Sequence, residues 1–279
     1  MQKMSNNNDF KELYSVMNKY QNILIAGHRN PDGDSLGSCI ALGTVLKKLG
    51  KNVTLYMKDL PNEFKILKGT YLFTNNIENT YDLVIVLDCA DDYRVEIKNQ
   101  FKEAKETINI DHHKDNPMFA TYNYVDEASS STAEIMFEFF KENDLSLDKD
   151  IAEAIYVGII SDTGLFQNRN TTSKTMLYTS ELMKHNINFN KIIGRLFFRK
   201  TYTELKLMGK AYDNAKLYHN DEIVISTLTK EEIAEQNAKS NETSGIISVL
   251  RQIEGVKLSC FIYEPIPKNV KVSFRCDIP

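Results

Sequence analysis

The sequence predicts an α/β fold: a larger domain with a parallel central sheet flanked by helices, a helical linker, and a smaller α/β domain. Three observations predict it. Short aliphatic runs such as Leu83 to Leu87 are apolar at every position, as strands covered on both faces of a parallel sheet are. Segments with apolar residues at helical spacing separate these runs, and that alternation is the signature of βαβ units. At 279 residues the chain is also long for one compact domain, and one large plus one small domain accounts for its length.

Taken in order, residues 9–20 carry a helical face of Phe10, Leu13, Val16 and Met17. Residues 23–26 form a short apolar strand, followed by a polar loop and a helix over 36–49 that Gly50 closes in the C-cap position. Residues 53–57 alternate like a strand, 61–67 read as a short helix and 71–73 as a short extended piece. Strands are expected at 83–87 and 106–110 with a helix over 95–104 between them, then an extended segment at 119–124. From Ser129 helices succeed one another, over 132–142, 151–161, 173–184, 189–198 and 202–214. Beyond Leu217 the reading is strands at 223–227, 257–263 and 270–275, with helices around Glu231 and over 243–252. The expected division is residues 1–190 for the first domain, 191–215 for the linker and 216–279 for the second domain.

Composition narrows the class. An apolar share of 42% with 26% charged residues is that of a globular protein, and a net charge of -4 argues against a duplex-DNA binder, which needs a broad basic surface. No apolar run approaches the ~20 residues of a membrane span. The first nine residues lack the basic and apolar regions of a signal peptide, so a cytoplasmic protein without membrane partners is expected. Cys39, Cys89, Cys260 and Cys276 are too scattered for a zinc knuckle or a disulfide framework, and Cys89 reads as packing.

The chemistry concentrates in four clusters. Gly27-His28-Arg29-Asn30-Pro31-Asp32-Gly33-Asp34-Ser35 follows the first strand, and ligands bind open α/β sheets at that edge. Its imidazole and two carboxylates, on a backbone bent by Pro31 and Gly33, suit Mn or a similar divalent ion. Val84-Ile85-Val86-Leu87-Asp88 ends a second strand in a carboxylate aimed at the same edge. Asn109-Ile110-Asp111-His112-His113-Lys114 follows a third. On an extended chain its two histidines would point to opposite sides, one to a metal and the other to a substrate. Gly158-Ile159-Ile160-Ser161-Asp162-Thr163-Gly164 ends a helix in Asp162, where an acid opposes the macrodipole at a cost of about 0.3–1 kcal/mol that a nearby cation would offset.

Each cluster alone has a plainer explanation: a polar turn with Ser35 as helix N-cap, an Asp capping the turn after a strand, a helix exit at Gly164. Three of the five histidines nevertheless fall in two strand-end loops. Together His28, Asp32, Asp34, Asp88, His112 and Asp162 offer ligands for two divalent cations, the arrangement that supports in-line phosphoryl displacement.

In this order the clusters resemble motifs I to IV of the DHH phosphoesterase superfamily, named for the triplet that stands here as Asp111-His112-His113. The match spans residues 20–165. The resemblance implies that His28 and Asp32 bind a first metal, that Asp34, His112 and Asp162 bind a second, and that Asp88 bridges both. It further implies that His113 contacts the scissile phosphate, that Asp111 orients the histidines, and that the ions are manganese.

Phe197-Phe198-Arg199-Lys200-Thr201 with Leu205-Lys206-Leu207-Met208-Gly209 looks like the linker of the DHH/DHHA1 proteins called nanoRNase/pAp phosphatases. Glu242-Thr243-Ser244-Gly245-Ile246-Ile247, Ile253-Glu254-Gly255-Val256 and Val270-Lys271-Val272-Ser273-Phe274-Arg275 are similar to their DHHA1 domain. That domain closes on a glycine-rich segment with a histidine. The sequence here reaches Cys276-Asp277-Ile278-Pro279 without it, so a C-terminally short DHHA1 domain is expected.

Arg275 is the candidate substrate contact in the second domain, because its planar fork matches phosphate, with Lys114, Arg195 and Arg199 as lesser candidates. The expected activity is Mn-dependent hydrolysis of very short oligoribonucleotides to mononucleotides, with removal of a phosphate from 3′-phosphoadenosine 5′-phosphate (pAp). Hydrolysis of cyclic di-AMP or pApA stays open, as does nucleotide or RNA binding without turnover. A homodimer is also open, dimers being common among similar proteins.

Overall fold

A computed structural model describes residues 7–238, 242–243, 245–266 and 268–276. Ser244 and residues 277–279, on which part of the DHHA1 resemblance and the short C-terminus rest, lie outside the described residues. The chain divides into two compact units, Met1–Phe197 and Phe198–Pro279.

The first unit is built on six parallel strands: β1 (Asn22–Ala26), β2 (Asn52–Tyr56), β3 (Phe73–Thr74), β4 (Leu83–Leu87), β5 (Glu106–Asp111) and β6 (Tyr122–Val125). Their order across the sheet is β3-β2-β1-β4-β5-β6. β4 is buried at every residue, and its alternation divides it between two layers. Leu83, Ile85 and Leu87 join Ile23 and Ile25 in the main core, while Val84 and Val86 join Leu24 and Ala26 under Val95 and Ile97 on the opposite face. Fully burying such side chains contributes about 1.5–3 kcal/mol each, so a strand apolar at every position fits only a sheet covered on both sides.

The helices of this unit are α1 (Phe10–Lys19), α2 (Gly33–Lys48), α3 (Lys98–Glu103), α4 (Thr132–Glu142), α5 (Lys149–Asp162), α6 (Ser173–Met183) and α7 (Phe189–Ile193). α2 and α5 approach closely because Gly37 lacks a side chain, since a Cβ there would lie 2.3 Å from the Ala154 carbonyl oxygen. Several boundaries differ from expectation. The helix expected over 95–104 is only α3, because Val95 and Ile97 are used as packing residues ahead of it. The one expected over 189–198 ends at Ile193 and continues as a π-helical turn, Gly194–Phe198. Residues 62–66 and 68–72 form two successive 3-10 turns.

The second unit holds α8 (Tyr202–Asp213), β7 (Lys216–Tyr218), β8 (Ile223–Leu228), α9 (Lys230–Glu235), α10 (Ile246–Leu250), β9 (Leu258–Ile266) and β10 (Asn269–Cys276). Its sheet runs β10-β9-β8-β7, with β8 and β9 parallel and both outer pairs antiparallel. α8, inside the stretch expected as linker, supplies Leu207, Met208 and Ala211 to this unit's core beside Val224, Ile246 and Phe261. β7 has no sequence signal of its own, being exposed at all three positions.

Candidate metal centre

Strand order places the site. The winding runs outward from β1 to β3, then returns to β4 on the other side of β1, so a crevice opens beyond the ends of β1 and β4. His28 lies two residues past β1 and Asp88 one past β4, while Asp111 ends β5 and His112 follows it. Asp162 is the last residue of α5. Asn30 and Asp88 both have positive φ, 57° and 55°, a conformation that short polar side chains tolerate better than most and that collects at functional sites.

The local supports are specific. Asp32, rather than Ser35, is the N-cap of α2, which therefore starts at Gly33. One oxygen, Oδ1, accepts from both Asp34 N (3.0 Å) and Ser35 N (3.1 Å), leaving Oδ2 free. Asp34 is fully buried and sits on the N-terminus of α4, accepting from Thr132 N at 2.7 Å and Ala133 N at 2.8 Å. A helix N-terminus favours an anion there. The approach requires Gly158, whose Cβ would fall 2.3 Å from Ala133 Cβ and 2.8 Å from Asp34 Oδ1.

His28 Nδ1 lies 2.7 Å from the Arg29 carbonyl oxygen, which can only accept, so Nδ1 carries a proton and Nε2 is the nitrogen turned to the carboxylates. Nε2 faces Asp88 Oδ2 at 3.5 Å and Asp32 Oδ2 at 3.9 Å. His112 Nε2 faces Asp162 Oδ2 at 3.0 Å, Asp88 Oδ1 at 3.8 Å and Asp34 Oδ2 at 3.9 Å. Three groups have donor atoms mutually within 4.8 Å: His28–Asp32–Asp88, Asp34–His112–Asp162 and Asp88–His112–His113.

His112 and His113 do not diverge as an extended chain would have them. Their ring centres are 4.6 Å apart, and His113 Nδ1 also stands 3.8 Å from Asp88 Oδ1. The cause is Asp111, whose Oδ1 accepts from both His112 N (2.9 Å) and His113 Nδ1 (2.7 Å) and folds the loop back. Asp111 is itself held by Asn116 Nδ2, which donates to Oδ2 at 2.7 Å.

The electrostatics favour a cation among these carboxylates. Among the described residues, every ion pair made by Asp32, Asp34, Asp88, Asp111 or Asp162 is with an imidazole. Burial and then the neighbouring Asp88 and Asp162 carboxylates push Asp34 well above the ordinary carboxylate range. Burial and Asp88 raise Asp32 as well. Burial would raise Asp88 too, but the three histidines outweigh it and hold Asp88 low. Burial would lower His112, yet Asp162 leads the carboxylates that push it up to about 9. His113 is raised by its hydrogen bond to Asp111, and His28 by Asp88 and the Arg29 carbonyl against the effect of burial.

The donors fit a metal. Among the described residues His112 Nε2, though buried, makes no hydrogen bond even with Asp162 3.0 Å away, the relation of two ligands aimed at one point. The mixed imidazole and carboxylate set suits a divalent cation.

Cys89 next to Asp88 is buried, donates to the Asp91 carbonyl oxygen and is pushed up to about 12 by burial, so it packs rather than reacts. Arg275 lies on β10 of the second unit, exposed, its Nη1 donating to the Phe274 carbonyl oxygen. Sequence reasoning missed Thr132, whose Oγ1 is 3.3 Å from Asp88 Oδ1. It also missed Asn116, and Asn170, whose Nδ2 donates to the Asp162 carbonyl oxygen. The Ser131-x-x-Glu134 spacing ahead of an apolar helix was the available signal for the α4 N-terminus.

Residues 22–159 match the DHH family, N-terminal domain. The chain is 28% identical over 273 residues to the "Bifunctional oligoribonuclease and PAP phosphatase NrnA" of Bacillus subtilis, covering 96% of this chain and 85% of that one. It is 27% identical over 174 residues to a "Probable manganese-dependent inorganic pyrophosphatase" of Bacillus mycoides, covering 58% of this chain and 54% of that one. The crystal structure of an exopolyphosphatase-related protein from Bacteroides fragilis shares the fold at a TM-score of 0.87 and 24% identity, over 96% of this chain and 82% of that one. With the DHH triplet and its supporting carboxylates at the sheet edge, residues 22–159 are a DHH family N-terminal domain.

Proposed function

We propose that the protein is a two-metal, Mn-dependent phosphoesterase that hydrolyses short oligoribonucleotides to mononucleotides and dephosphorylates pAp. The observation that carries this is the convergence of His28, Asp32, Asp34, Asp88, His112 and Asp162 in donor groups no wider than 4.8 Å, where every ion pair of the carboxylates among the described residues is with an imidazole. The similarity to the B. subtilis protein named for these two activities supports the substrate class, and the pyrophosphatase likeness supports manganese.

In this reading His28 and Asp32 would hold one ion, Asp34, His112 and Asp162 the other, and Asp88 would serve both. Two divalent ions bound there would supply Lewis-acid activation of water near neutral pH and charge compensation for a phosphoryl group. The chain's own residues fix the rest. His113 Nδ1 is committed to Asp111, which leaves Nε2 of a partly exposed imidazole to donate to a phosphate oxygen. Asp111 and Asn116 hold that ring in place, so Asp111 is a positioning residue. Arg275 is the proposed phosphate contact of the second unit.

The test is Asp88→Ala. Hydrolysis of pApA and of pAp should both fall by about 10²- to 10³-fold with secondary structure retained, which is the scale expected when a group central to transition-state charge is removed. Full activity in this variant would overturn the two-metal mechanism.

A further inference from the structure

We propose that an open groove beside the metal centre carries the nucleotides of the substrate strand that lie away from the scissile phosphate. This rests on the oligoribonucleotide reading above. The groove is a cavity of about 680 Å³ at the β1–β2 side of the sheet edge, within the size range of ligand sites, about 300–1,000 Å³. Arg29, Lys58 and Lys98 line it with Tyr56 and Tyr93, and among the described residues Glu96 is the one carboxylate in its wall.

Continuity links it to the chemistry. A smaller cavity lined by His28, Asn30 and Pro31 shares Tyr56, Lys58 and Glu96 with the groove, with Asp59 at its side. The path therefore begins at a proposed metal ligand and ends at Tyr93. Arg29, which lines the larger groove, is tied to both sides through its backbone: its carbonyl oxygen holds His28 Nδ1, and its N donates to the Arg94 carbonyl oxygen at 3.0 Å. Asp91 caps Arg94 N at 2.9 Å, so the wall bearing Tyr93 is tied to the loop bearing His28.

The chemistry is that of a single-stranded nucleic acid path. Three cations against one carboxylate make the groove locally positive in a chain of net charge -4. Tyr93 is 77% exposed, and a large aromatic ring left in water beside cations is a stacking platform for a base. Lys98 Nζ already stands 5.2 Å from that ring's centre, placing a cation where a phosphate flanking a stacked base would pass. Stacking is tolerant of sequence, so this path would read strand length rather than base identity.

The experiment measures binding of a fluorescein-labelled phosphorothioate pentaribonucleotide by anisotropy in Mn²⁺, in the full chain and in Tyr93→Ala and Lys98→Ala. Both side chains are exposed, so neither substitution disturbs the core. Tyr93→Ala should weaken binding about fivefold or more, the usual cost of losing one aromatic platform. Lys98→Ala should lower the slope of log affinity against log salt by about 0.7, one phosphate contact on a single strand. A parent that does not bind the pentamer, or variants that bind it with the parent's affinity and salt slope, would overturn the groove. Hydrolysis of pAp by the parent tests the phosphoesterase reading separately. Binding lost in the variants while the parent hydrolyses nothing would uphold the groove and reject that reading.

Discussion

Asp32→Asn separates the two tasks of one side chain. Oδ1 caps α2 through Asp34 N and Ser35 N, and an amide oxygen keeps both bonds, since Asn and Asp are equivalent N-caps. Oδ2 faces His28, and there the substitution replaces a charged oxygen by an amide nitrogen. In chelator the change removes a repulsion. Oxygens of Asp32 and Asp88 lie within 4.8 Å, where two unit charges repel by about 3.5 kcal/mol at an effective dielectric of 20 and about 0.9 in water. Because the Asp32 side chain is 54% exposed and His28 attracts it, the lower figure governs, and the metal-free variant should be as stable as the parent or up to about 1 kcal/mol more stable. With metal the order inverts. At a concentration 100 times Kd the parent gains about 2.7 kcal/mol, and a tenfold loss of affinity reduces this to about 1.4. Denaturant unfolding with EDTA and with Mn²⁺ reads both numbers. A variant less stable in EDTA by more than about 1 kcal/mol, or one with the parent's full metal increment, would refute the reasoning.

The metal-free protein should lose stability as pH rises from about 6.5 to 9. His112 is raised from 6.5 to about 9, so its contribution is complete below 6.5 and lost through 9, up to about 3 kcal/mol, and denaturation in EDTA across that window checks it. Apparent metal affinity should rise over the same window, because a ligating imidazole must be neutral; an affinity independent of pH would contradict this. Asn116→Ala frees Asp111 Oδ2 from its 2.7 Å donor and should lower kcat about 10- to 100-fold with a smaller change in KM, as seen in steady-state kinetics on pApA. Gly158→Ala puts a methyl 2.3 Å from Ala133 Cβ and 2.8 Å from Asp34 Oδ1. It should cost about 1–3 kcal/mol and weaken metal binding together, as calorimetric metal titration would show.

What was legible in the sequence was what repeats with a period or ends a run. β4 and the helix Thr132–Glu142 were readable because uniform burial and helical spacing leave direct marks in the residue pattern. Asp88 and His112 were readable as candidates because each follows an apolar strand. Supports that act across the fold were not. Asp34 meets the α4 N-terminus 98 residues away, and no local spacing signals that contact. The parallel turn of both histidines toward Asp88 depends on one carboxylate oxygen of Asp111 accepting twice, which the triplet's order does not specify. Gly158 has the pattern of an ordinary small residue in a helix, and only the contact with Asp34 across the fold makes it necessary. The groove at Tyr93 was hidden because Arg29, Lys58 and Lys98 come from three separate loops and elements.

The most direct test of the central proposal is turnover by the full chain on pApA, a pentaribonucleotide, pAp and cyclic di-AMP side by side, with bound Mn²⁺ counted in the same sample. Two ions per chain are expected, with hydrolysis of pApA, the pentamer and pAp in preference to the cyclic dinucleotide. Two bound ions with no turnover on any of the four would contradict it, as would a strong preference for cyclic di-AMP.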